Sequence, residues 1–175
     1  MLPYPRTGIL VNVENPLLTL LLSLALADLA RAAQPESPPA TMAVAPEVIT
    51  RYDAVRVALA GDNLDGARAA ARDLATASVN DPVLASAATH LAETTDATSA
   101  RAAFSEASRV LVTRLAATMP TPKVVVFYCP MWTAGYPWWV QPKSGMVNPY
   151  MGAAMPDCGE ERSLKAAAKA AAVPG

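Results

Sequence analysis

The chain reads as a mainly α protein, a four-helix bundle followed by a short β-ribbon and a C-terminal Cys/Met-rich loop motif. Three observations predict this. Apolar residues recur at helical spacing through four segments between residues 46 and 119. Acidic residues and prolines punctuate those segments at the places where helices start and stop. Beyond residue 120 the helical pattern gives way to a β-branched run and then to a stretch dense in Cys, Met and Trp. Of the 175 residues 53% are apolar, and the excess is alanine, which points to closely packed helices with thin contacts. The net charge of -1 leaves no basic footprint for nucleic acid or anionic lipid.

Residues 1–32 read as an export signal. The apolar run at 17–29 has signal-peptide length, and Ala30-Arg31-Ala32 supplies small residues for cleavage after Ala32. Asp28 and Arg31 cut the run below the roughly 18 residues a membrane span needs, so no stable span is expected after cleavage and the mature protein is expected in the periplasm. Residues 33–45 follow as a linker, kept extended by Pro35, Pro38 and Pro39.

The folded domain is expected over residues 46–160. Pro46 opens a first helix over 47–60 with Val48, Tyr52, Val55 and Leu59 on one face, and Gly61 ends it. Asp62 is the expected cap of the second helix, which turns Leu64, Ala67, Ala71 and Leu74 inward; the short joint makes the pair an antiparallel hairpin. Asp81-Pro82 opens the third, through Glu93, with Leu84, Ala87, Ala88 and Leu91 inside. The fourth begins after Asp96 and runs to about residue 119, striped by Ala100, Phe104, Ala107, Leu111 and Leu115 and stopped by Pro120 and Pro122. Residues 124–128 read as a strand, with Trp138-Trp139-Val140 as its partner. The Ala/Lys-rich tail, 161–175, reads as a frayed helix, and no function is assigned to it.

Residues 128–160 gather both cysteines, all three tryptophans and four of the seven methionines. Thiolates and thioethers together select soft cations, Cu(I) and by the same chemistry Ag(I). In an extended strand Cys129 and Met131 would share a face, and on a helix Met151, Met155 and Cys158 would share one. The expected ligands are therefore Cys129, Met131, Met151, Met155 and Cys158; Met146 ranks lower because it keeps no such register with a cysteine. One His and two Cys do not fill the four positions of most structural zinc sites. Asn148-Pro149-Tyr150 reads as a turn in which Asn148 bonds its own backbone.

The pattern Tyr128-Cys129-Pro130-Met131, a Trp-rich turn, Asn148-Pro149-Tyr150-Met151-Gly152 and then Met155 followed by Cys158-Gly159-Glu160 resembles the small domain of unknown function appended to CusB-like periplasmic copper/silver efflux adaptors, a domain that also occurs alone after a signal peptide. The resemblance covers roughly residues 47–160. It implies a periplasmic heavy-metal-associated module whose partner is an envelope efflux or metal-transfer protein. The chain carries no adaptor, hairpin or barrel segment, so the resemblance does not imply an efflux adaptor.

A different reading stays open beside it. Two cysteines in an exported protein form a disulfide by default, here closing a loop of about thirty residues and contributing about 3–4 kcal/mol in the chain-entropy model. The motif would then be a disulfide-stapled interaction module whose Trp-rich face docks on an envelope partner without metal. A redox protein cycling the same pair is a third reading. His90 lies in the third helix, near Glu93 and away from the motif, and reads as a surface residue. No phosphate loop, shielded carboxylate pair or metalloprotease helix occurs, so no enzyme is expected. The sulfur set can be complete in one chain or shared across a dimer.

Overall fold

A computed structural model describes residues 43–118 and 120–173; the expected signal and most of the expected linker lie outside them. The described chain is mainly helical with a small three-stranded antiparallel sheet. Its elements are α1 (Pro46–Ala60), α2 (Leu64–Ala77), α3 (Pro82–Glu93), α4 (Ala97–Ala117), β1 (Val125–Tyr128), β2 (Trp138–Gln141), a 3-10 turn (Gly152–Ala154), β3 (Glu160–Arg162) and α5 (Leu164–Ala171). No helix among the described residues is long and apolar enough to cross a membrane.

The helix boundaries follow local chemistry. Asp81 and Asp96 accept the N–H of Leu84 and Ser99, 3.3 and 2.9 Å away, and so satisfy donors that a helix start leaves open. The cap of α2 differs from expectation. It is Asn63, whose side chain accepts the Gly66 N–H at 2.9 Å, while Asp62 sits at φ 56 in the left-handed region and is turned to another task.

Each helix packs on the next in sequence, and α1 also meets α4. The faces meet as the spacing predicts: Tyr52, Val55, Leu59, Ala67, Ala71, Leu74, Ala88, Leu91, Phe104, Leu111 and Leu115 are all buried. Leu64 and Ala87 are only half-buried. Inside, the rings of Tyr52 and Phe104 stack with centroids 4.9 Å apart, and the Tyr52 hydroxyl meets Ser108 Oγ at 2.6 Å.

The sheet runs in the order β2-β1-β3. β1 and β2 pair antiparallel, Phe127 opposite Trp139 and Tyr128 opposite Trp138, as the β-branched and aromatic residues predict. The third strand is a finding beyond the sequence expectation. Glu160, Glu161 and Arg162 pair antiparallel with Tyr128, Phe127 and Val126 and are themselves exposed. The tail forms the expected helix but docks on the fold: Ser163 caps α5, Ala167 is fully buried, and its carbonyl accepts the Tyr136 hydroxyl at 2.8 Å.

Three phenols are buried between these layers. Burial pushes Tyr52, Tyr136 and Tyr150 well above the ordinary tyrosine value of about 10. Because the folded values are raised, the stability tied to them is intact below about pH 10 and is lost as pH rises through the folded values. Ultraviolet titration should therefore show these three tyrosines ionising only together with loss of helical circular dichroism. Ionisation of more than two of the chain's five tyrosines near pH 10 while helicity is kept would contradict their burial.

Candidate metal centre

The two cysteines come together from opposite ends of the motif. Cys129 follows β1 directly and is fully buried; its N–H donates to the Pro137 carbonyl at 2.9 Å, prolonging the β1–β2 pairing. Cys158 is half-buried and leads through Gly159 into β3. Because β1 lies between β2 and β3, the ladder itself draws these cysteines to one end of the sheet. Their sulfurs stand 3.9 Å apart and are not bonded. Two thiolates on one ion at the zinc–thiolate length of about 2.3 Å would stand about 3.8 Å apart in tetrahedral geometry. A disulfide needs about 2.05 Å, so in this arrangement it requires the side chains to rotate inward.

The loop carrying Cys158 is built around Asn148, which is fully buried. Its Oδ1 accepts the Tyr150 N–H at 2.7 Å and the Met151 N–H at 3.2 Å, the self-bonding turn expected of this residue. Its Nδ2 donates to the Cys158 carbonyl, and its own N–H donates to Pro156 O at 2.8 Å. One side chain thus closes residues 148–158 into a ring.

Tyr150 fixes that ring to the core. It stacks on Trp132 (centroids 4.9 Å, 15°), lies edge-on to Trp139 (5.9 Å, 83°) and tilts against Phe104 of α4 (5.9 Å). Its hydroxyl lies 2.8 Å from the Trp138 carbonyl.

Charged groups from the helices complete the attachment, and sequence reading did not anticipate them. Arg56 donates to the Val147 carbonyl at 2.9 Å, and Arg101 donates to Pro149 O at 3.1 Å while also pairing with Asp62. Asp62 in turn accepts the Ala153 N–H at 3.0 Å; that bond, with Arg101 second, holds its carboxyl below the usual carboxylate range. Gly152, at φ 63, packs where a side chain would strike Asp62 and Arg101. These contacts join residues far apart in sequence and carry no local signature.

The expected ligand set is rearranged. Cys129 and Met131 do not share a strand face, because β1 ends at Tyr128 and the chain turns at Pro130-Met131; Met131 is 58% exposed. Met151, Met155 and Cys158 do not share a helix face, because this stretch holds only the three-residue turn Gly152–Ala154, interrupted by the left-handed Gly152. Met155 is 40% exposed, while Met151 is half-buried against the core. Met146, ranked lower from sequence, instead packs beside Gly159.

The three tryptophans do not form one outward face. Trp139 is fully buried, Trp132 covers Tyr150, and Trp138 packs on Tyr128 across the strand pair at 4.9 Å. The Trp132 indole N–H is buried without a hydrogen-bond partner among the described residues. His90 is exposed on α3.

Compared with family models, curated proteins and solved structures, the chain matches none.

Among the described residues no group of three or more His, Cys, Asp and Glu converges, so an ion at the cysteine pair would take any further ligand from a thioether or a backbone carbonyl. Burial and the neighbouring Cys129 thiol push the Cys158 thiol above its ordinary range. A proton must therefore be displaced before this sulfur can ligate.

Proposed function

We propose that the protein binds a soft monovalent cation, Cu(I) and equally Ag(I), through Cys129 and Cys158, and serves metal tolerance, transfer or efflux in the periplasm with an envelope protein as donor or recipient. The observation that carries this reading is the pair of unbonded sulfurs 3.9 Å apart on two independently pinned backbones. The thioethers of the same motif favour a soft ion over hard ones. The periplasmic setting comes from the leader pattern of residues 1–32 and from the resemblance of residues 128–160. Residues 46–117 then act as a four-helix scaffold that positions the motif.

The test is an anaerobic Cu(I) titration of the reduced full-length chain against a chromophoric chelator, with Cys129→Ser and Cys158→Ser alongside. One equivalent of Cu(I) should leave the chelator for the wild type and remain with it in both variants. Apparent affinity should rise with pH through the thiol range, since the raised Cys158 thiol must lose its proton to bind. Copper that stays with the chelator in the wild type would sink the proposal. A chain first oxidised to a Cys129–Cys158 disulfide should bind at least tenfold more weakly.

A further inference from the structure

The remaining question at the cysteine pair is which sulfur joins it, and the packing around Gly159 brings one methionine beside the residue that follows Cys158. A Cβ built on Gly159 would meet the Met146 sulfur at 3.0 Å and Trp139 Cη2 at 3.1 Å. Met146 is therefore in contact with the residue that follows Cys158. Trp139 reaches the same point from β2, and its ring stacks on Phe127 of β1 with centroids 5.4 Å apart. Side chains alternate along a strand, so Cys129, two residues after Phe127, continues on the face that Trp139 covers. The thioether of Met146 and the Trp139 indole thus reach the same point beside Gly159, the residue after Cys158, whose sulfur stands 3.9 Å from that of Cys129.

Met146 is also held in place, which a ligand needs if binding is not to be offset by ordering cost. Ahead of it, Gln141 Nε2 donates to the carbonyls of Lys143 and Gly145, each at 2.7 Å, and so fixes the turn. Behind it, Arg56 holds the Val147 carbonyl at 2.9 Å. Met131 and Met155, by contrast, are exposed at 58% and 40%.

We infer that Met146 supplies the third sulfur, making Cys129, Cys158 and Met146 a two-thiolate, one-thioether site selective for Cu(I) and Ag(I). This rests on the proposed metal binding at the cysteine pair and adds the residue that tunes it. A thioether ligates soft monovalent ions and contributes little to Zn(II), so Met146 should govern selectivity more than occupancy.

The experiment uses the reduced full-length chain, grown with selenomethionine and loaded with Cu(I) alone, with copper-edge X-ray absorption as the readout. A copper–selenium scatterer should appear, persist in Met131→Leu, Met151→Leu and Met155→Leu, and vanish in Met146→Leu. Met146→Leu should also lower Cu(I) affinity at least tenfold in chelator competition while leaving Zn(II) affinity within twofold. Selenium scattering in unsubstituted chain that survives loss of Met146, or no selenium beside bound copper, would overturn the assignment and leave the cysteine site standing. Failure of the wild type to take up Cu(I) would overturn both. Should Met146→Leu fold poorly, a selenium signal that persists in Met131→Leu, Met151→Leu and Met155→Leu still leaves Met146 as its source within the motif, and loss of the signal in any of those three would overturn the assignment.

Discussion

Asn148→Ala should lower stability by about 2–4 kcal/mol in denaturant unfolding, because each buried polar group left unpaired costs about 1–3 kcal/mol. The side chain removed serves three backbone groups: the N–H of Tyr150, the N–H of Met151 and the carbonyl of Cys158. None has another bond that substitutes for it among those described, and Tyr150 is itself buried. Asn148→Asp separates the two ends of the side chain. It keeps an acceptor for the two N–H groups but turns a second oxygen toward the Cys158 carbonyl, so the Cys158 end should loosen while the Tyr150 turn persists. Cu(I) affinity should fall in both variants, since the carbonyl they release belongs to a proposed ligand. A loss below about 0.5 kcal/mol, the range of an ordinary surface substitution, would show that the ring of residues 148–158 is closed by something else.

Trp139→Ala should be at least as damaging, by about 3–5 kcal/mol, the usual cost of emptying a large aromatic site in a core. The indole is fully buried, stacks on Phe127, meets the Tyr150 ring edge-on and donates to Gln141 Oε1 at 3.3 Å. Its loss would leave a cavity beneath the sheet and take the donor from Gln141 Oε1, while the Nε2 bonds of Gln141 to Lys143 and Gly145 remain. The neighbouring Trp138→Ala removes as large a side chain from the opposite face of β2, where it is half-buried and packs mainly on Tyr128. It should cost only about 1 kcal/mol. Equal losses for the two would contradict the alternation that separates them. Thermal unfolding of both variants, with near-ultraviolet circular dichroism on the remaining tryptophans, makes the comparison.

What the sequence disclosed and what it concealed divide along the range of the interactions. Asp81-Pro82 and Asp96 start helices by bonds to residues three positions on, so their role can be read where they stand. The strand at Val125–Tyr128 was legible in its β-branched and aromatic residues, and its partner in Trp138 and Trp139. Asp62 was the expected cap of α2, but Asn63 takes that place, and Asp62 is engaged by Arg101 and Ala153 from distant segments. β3 has no apolar alternation at all; Glu160, Glu161 and Arg162 are a strand only because β1 offers an edge. The cysteines as a pair were evident, but the spacing of Met151, Met155 and Cys158 imitated a helix that Asn148 and Gly152 prevent. Met146 lacked any register with a cysteine, and its place beside Gly159 comes from the folding back of the turn after β2.

The β3 edge of the sheet also bears on how a neighbouring molecule could add to it. An open edge presents unpaired donors and acceptors on which a neighbouring molecule can lay a strand, and the first residues such a strand would cover lie next to Cys158. Here that edge is three residues long and every one is charged, with Glu160 and Arg162 already joined as an ion pair. An incoming chain would have to strip water from all three for very few bonds in return. Small ions meet no such obstacle, so crowding should leave the thiol open to metal while discouraging strand addition at β3.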